Sequence, residues 1–187
     1  MSIETPEAPV DPQIAPVPTP EPEPAASSAG QGPTAYSLAL AVLVGDQLSK
    51  MWFLSQGFLE GESRAVFGPF SLTMVWNKGV SFGLFRGDTD WVRWALTFFS
   101  LGVAITIAFW ARKVSRPLLG WAFGLIMGGA VGNMIDRVRF GAVADFLDFT
   151  DLMFPWVFNV ADSAISIGVV LLLIDTFLAD RKSKAPT

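Results

Sequence analysis

Apolar residues in this chain gather into four long runs, at about 36–55, 91–110, 117–135 and 158–179, separated by stretches where glycine, proline and charge return. A helix needs about 20 predominantly apolar residues to cross the hydrocarbon core of a bilayer, so each run predicts a transmembrane helix. Trp52, Trp91, Trp94, Trp110, Trp121 and Trp156 fall near the predicted ends, where amphipathic rings settle at headgroup level. Between the first two runs the period changes. Phe70, Leu72, Met74 and Trp76 recur at every second position, as in a short strand with one buried face, and Gly68, Pro69 and Gly79 supply turns around it. The expected fold is an all-α membrane protein, four transmembrane helices with a small extracytoplasmic β-rich cradle and no internal repeat.

Charge sets the orientation. Arg112, Lys113 and Arg116 lie between the second and third runs, and Arg181, Lys182 and Lys184 follow the fourth, so by the positive-inside rule these loops face the cytoplasm. Both termini are then cytoplasmic, and segments 56–90 and 136–157 face outward. Residues 1–34 hold Pro6, Pro9, Pro12, Pro16, Pro18, Pro20, Pro22 and Pro24 with several glutamates and no lysine or arginine. Such a stretch buries too little apolar surface to offset the entropy of ordering, and predicts a disordered, polyproline-like tail. With no basic region ahead of an apolar core, it is not a signal peptide. The expected division is a proline-rich cytoplasmic tail at 1–34, a four-helix membrane domain at 35–181 and a short cytoplasmic tail at 182–187.

Composition narrows the chemistry. The 187 residues are 51% hydrophobic and 16% charged, and contain neither cysteine nor histidine. Disulfides, thiolate nucleophiles, Cys/His zinc sites and Ser-His or Cys-His triads are thereby excluded, leaving carboxylates, lysine or tyrosine for proton transfer. The net charge of −4 says little about nucleic acid, but the lack of a basic stripe with interleaved aromatics argues against nucleic-acid binding.

A charge at the centre of a bilayer costs about 2.5–3.5 kcal/mol on insertion scales, so polar residues within the runs are candidate functional groups. Asp46 and Lys50 are four apart on one helical face and can pair; such a pair either locks helices together or meets substrate. At the outward end of the third run, Gly128, Gly129 and Gly132 permit close backbone approach. Asn133, Asp136 and Arg137 follow at helical spacing and can point into a common site. At the start of the fourth run, Asn159 is placed to cap the helix, which leaves Asp162 in the first turn directed at the bundle. Between these clusters, Asp145 and Asp148 stand in an apolar, aromatic stretch. Two aspartates meeting in a low-dielectric pocket cannot both ionise; they share a proton, and one activates water while the other protonates a leaving amine. Asp162 is the favoured member, whereas Asp136, Asp145 and Asp148 all remain open as its partner.

Asp46-x-x-Ser49-Lys50, Asn77-x-Gly79-x-x-Phe82, Gly132-Asn133-x-x-Asp136-Arg137, Val143-x-Asp145-Phe146 and Phe158-Asn159-x-Ala161-Asp162-Ser163 resemble, in order, the signature blocks of the lipoprotein signal peptidases, the type II signal peptidases of bacteria. The resemblance covers about residues 36–180. It implies a catalytic dyad at Asp145 and Asp162, with Asp46, Lys50, Asn77, Gly79, Asn133, Asp136, Arg137 and Asn159 lining or bracing the substrate site. Ser49 stands where the family more often has threonine. Also implied are an aspartyl endopeptidase of the inner membrane without metal or other cofactor, its active site toward the outer face, and cleavage of prolipoproteins before a diacylglyceryl-modified cysteine. Inhibition by globomycin-type lipopeptides follows from the same resemblance. A small proton-coupled transporter using the membrane aspartates is the alternative, although inverted repeats and interrupted helices are not evident.

Overall fold

The computed structural model describes residues 30–79, 90–152, 154 and 156–183; the tail through residue 29, Phe82 and residues 184–187 lie outside them. In chain order the elements are α1 (Gly32–Ser55), β1 (Ser63–Phe67), β2 (Phe70–Asn77), α2 (Asp90–Ala111), α3 (Pro117–Phe140), β3 (Val143–Asp148), a single 3-10 turn (Thr150–Leu152), β4 (Val157–Phe158) and α4 (Val160–Ser183). All four α-helices are long and apolar enough to cross a membrane. The four-helix architecture with a small antiparallel sheet is as expected.

Helix boundaries follow local chemistry. α1 starts at Gly32, ahead of the apolar run, because Pro33 occupies the first turn, where its missing N–H costs nothing. Pro117 opens α3 in the same way, after an extended Arg116. α3 outlasts its predicted end at 135 and runs to Phe140, since Asp136 is buried against Lys50 at 2.8 Å and its charge therefore does not end the helix. Gly141, with φ +79°, ends it in the left-handed conformation and donates its N–H to Arg137 O at 3.1 Å. Arg93 of α2 reinforces that end: Nε donates to Arg137 O at 2.7 Å and Nη2 to Val138 O at 3.0 Å, a cation at the negative pole of the helix.

α3 is the central element, with more than half of its span buried against α1, α2 and α4. Glycines make this possible: a Cβ on Gly128 would lie 2.6 Å from Ala39 O, and one on Gly129 2.5 Å from Ala161 O. Ala35, Ala39, Ala104, Ile107, Phe123, Ile126 and Met127 form the core of the bundle. Its outer surface carries exposed Phe98, Phe99, Phe109 and Phe177, as lipid contact requires. The six tryptophans singled out above are all exposed, consistent with interfacial belts.

The sheet has order β1-β2-β3-β4, antiparallel throughout. The alternating segment 70–76 is indeed strand β2, and Met74 packs with Phe53 and Phe146 in a second apolar cluster where α1 meets the sheet. Within the segment 136–157, which the sequence predicts only as outward-facing, Val143–Asp148 form strand β3. It pairs with β2 in the register Asn77↔Val143 and Val75↔Asp145, and almost every residue in it is buried, so it lacks the polar/apolar alternation that reveals a half-exposed strand.

Candidate active site

Asp145 arrives on β3 and Asp162 in the first turn of α4. Asn159 caps that helix as expected: its Oδ1 accepts from Asp162 N–H at 2.9 Å. Its Nδ2 then donates to Asp145 Oδ1 at 2.6 Å, and to Asn133 Oδ1 at 3.3 Å. Asn133 Nδ2 in turn donates to Asp162 Oδ1 at 2.7 Å. Two asparagine amides therefore link two carboxylates that are distant in sequence.

Asn77 Nδ2 closes the cluster with a hydrogen bond to Asp145 Oδ2 at 3.0 Å. The Asn77 amide is itself oriented by Gly79, whose N–H donates to Asn77 Oδ1 at 2.8 Å. Gly79 has φ +82°, and a Cβ there would run into the Leu96 side chain, so no other residue holds this turn without strain. Asp145 is 1% exposed. Burial pushes its carboxyl up to about 7 and the neighbouring charge of Asp162 adds to the rise, opposed by the Asn77 and Asn159 donors.

Behind this cluster sits a buried ionic brace. Lys50 Nζ lies 2.9 Å from Asp46 Oδ2, 2.8 Å from Asp136 Oδ2 and 3.2 Å from Asn133 Oδ1, which uses all three ammonium protons. The predicted Asp46–Lys50 pair is present. Each acid also holds a piece of backbone: Asp46 Oδ1 accepts from Ala161 N–H at 3.0 Å, fixing the start of α4, and Asp136 Oδ2 accepts from Ala144 N–H at 3.2 Å, fixing the start of β3. Lys50 has donors only, so the Asn133 carbonyl must face it and the Asn133 NH2 must face Asp162.

Gln47 is a further member of the site that helical spacing does not single out. Its Nε2 reaches Asp46 Oδ2 at 3.1 Å and Asp136 Oδ1 at 3.0 Å, tying α1 to α3; the available signal was an amide inside an otherwise apolar run. Arg137 only partly shares the common site expected of it. It lies within electrostatic reach of Asp162, Asp145 and Asp136, yet among the described residues it makes no ion pair, and Nη1 contacts only Asn133 O of its own helix at 3.4 Å. It is half-buried and keeps donors to spare.

Asp148, a candidate partner for Asp162, is engaged elsewhere: it accepts from Thr73 Oγ1 and from Thr150 N–H. Three residues on from Asp145, it falls on the other side of the strand. Asp148→Asn is expected to keep at least half of wild-type turnover and to lower thermal stability by about 1 kcal/mol, the scale of a cap or hydrogen bond; turnover and melting of the purified variant test this. A cleft of about 490 Å³ opens beside the cluster, lined by Asn77, Trp156, Phe158, Asp162 and Ser163 among others.

Residues 38–178 match the family described as signal peptidase (SPase) II. The chain is 54% identical over 149 residues to a lipoprotein signal peptidase of Caulobacter vibrioides, covering 79% of this chain and 88% of that protein. It is 41% identical over 155 residues to one of Gloeobacter violaceus, covering 82% and 87%. A bacterial membrane enzyme solved by the in meso method at 2.3 Å superposes with a TM-score of 0.70 at 28% identity, over 83% of this chain and 93% of that one. Homology over most of the chain, on a fold with the same membrane architecture, shows that this protein belongs to the signal peptidase II family of peptidases.

Proposed function

We propose that the chain is an aspartyl endopeptidase of the bacterial inner membrane that removes the signal peptide from diacylglyceryl-modified prolipoproteins, with Asp145 and Asp162 as its dyad. The observation that carries this reading is the convergence of β3 and α4, through Asn133 and Asn159, on two carboxylates, with Asp162 and the Asp145 partner Asn77 both lining one cleft. A peptidase family speaks for proteolysis rather than proton-coupled transport. Arg112, Lys113 and Arg116 between α2 and α3 favour a cytoplasmic face at that end, which supports an orientation with the sheet and both aspartates toward the outer leaflet.

The chemistry is hydrolysis without a covalent intermediate. At neutral pH the pair holds one proton, and we assign it to Asp145, the more deeply buried of the two carboxyls. Asp162 takes a proton from water, the oxygen adds to the scissile carbonyl, and Asp145 delivers its proton to the departing cysteine nitrogen. Asn77 and Asn159 keep Asp145 oriented throughout, while the free donors of Arg137 suit a carbonyl or phosphate oxygen of the substrate.

Purified protein in detergent should convert a diacylglyceryl precursor to a faster-migrating product, and a globomycin-type lipopeptide should block the conversion. The shared proton is retained below about pH 7 and lost above it, so kcat/KM should fall on the alkaline side of about pH 7. No cleavage of a lipidated precursor at any pH would end the assignment, and a profile still rising through pH 8 would remove Asp145 as the proton holder.

A further inference from the structure

A cut at Asp162 leaves the signal side of the substrate to be accommodated, and the bundle has a track for it. A cavity of about 650 Å³ lies between α1 and α4 with α3 as its floor, lined by Ser37, Ala41, Trp121, Leu125, Ile167 and Leu171 among others. Ile167 also lines the cleft that holds Asp162. Ser163, Ile167 and Leu171 are four apart and share one face of α4, and the two cavities meet at Ile167 along that face, a trough in two sections that descends from Asp162 toward the cytoplasmic half of the bundle. From Asp162 to Leu171 the helix rises about 14 Å.

The proposal rests on the protease reading and deepens it. We propose that the trough between α1 and α4 is the docking track for the apolar signal helix of the substrate. Three observations carry it. Apart from hydroxyls, the lower trough is apolar, whereas its upper end opens on the polar cluster, which matches a segment that is hydrophobic up to its cleavage site. Its length falls within the span of a signal core of 7–15 residues, about 10–22 Å as a helix. Its α1 wall presents Ser37 and Ala41 four residues apart, small enough for a helix backbone to approach closely. The diacylglyceryl group sits on the other side of the scissile bond, so the segment leading away on the signal side is peptide, running antiparallel to α4.

The chain contains no cysteine, so disulfide trapping needs no background removal. Ala41→Cys and Leu171→Cys, each in turn, are mixed with a lipidated precursor carrying one free cysteine in mid-signal segment, and oxidised with copper phenanthroline. Phe98→Cys, on the lipid-exposed side of α2, is the control. The expected result is a covalent adduct at both trough positions, at least tenfold above the control. Ala41→Trp, which fills the trough, should raise KM for the precursor at least tenfold. Adducts no stronger in the trough than at residue 98, with the wild-type protein still cleaving, would overturn the track and leave the protease reading standing. A wild-type protein that cleaves nothing would instead overturn the protease reading. The two cysteine positions lie on different helices, so misfolding of one variant leaves the other as the test.

Discussion

Asp145→Asn and Asp162→Asn should each lower kcat by about 10³-fold, within the range lost when a positioned acid or base is removed, while the protein stays folded. The change is isosteric and neutralises a buried carboxylate, so the bundle loses no packing, and at residue 162 an amide oxygen still accepts from Asn133 Nδ2. Residue 145 is less forgiving. Asp145 accepts from both Asn77 and Asn159, and an asparagine there opposes an NH2 to an NH2 on one side, which costs about 1–3 kcal/mol if no rearrangement relieves it. Binding of precursor should survive in both variants, because the trough is untouched and the change at Asp162, which lines the cleft, is isosteric. Turnover and precursor affinity measured on the same samples separate chemistry from folding. A variant that binds and still cleaves within tenfold of wild type removes that residue from the mechanism.

The membrane architecture was legible because it depends on run length and composition alone. The four apolar runs became α1 to α4, and Phe70 to Trp76 showed strand β2 through its period. β3 was not legible: buried on nearly every side, it has no alternation, and its two aspartates are poor strand formers. The site divides in the same way. Helical spacing found the Asp46–Lys50 pair and the Asn159 cap, both local relations. It could not show that Lys50 reaches Asp136 on α3, or that Asn159 reaches Asp145 on β3, because those contacts join segments whose approach depends on glycines packed against backbone. Asp145, Asp136 and Asp148 were therefore equivalent in the sequence. They differ in the folded chain by neighbours: asparagine amides for the first, an ammonium for the second, a threonine hydroxyl for the third.

Lys50→Met should be the most damaging single change outside the proposed dyad. It leaves Asp46 and Asp136 buried with their shared cation gone, and breaking a buried ion pair from one side costs about 3–5 kcal/mol, enough to deplete the folded protein from the membrane. Stability and function can be separated here because Lys50 does two things. It balances charge, and it forces the Asn133 carbonyl toward itself so that the NH2 meets Asp162. Adding Asp136→Asn to Lys50→Met restores the charge balance of the brace, since Asp46 keeps the Ala161 N–H and the Gln47 amide. The double variant should therefore regain a substantial part of the lost stability. It should not regain turnover: Asn133 is then free to reverse its amide and present an oxygen to the Asp162 carboxylate, and the Ala144 anchor of β3 is weakened. Melting temperature and precursor cleavage measured side by side decide the matter. Recovery of both together would reduce Lys50 to a counter-ion, and recovery of stability with activity still at least about 10²-fold down, a loss on the scale of acid–base catalysis, assigns it the orientation of the site.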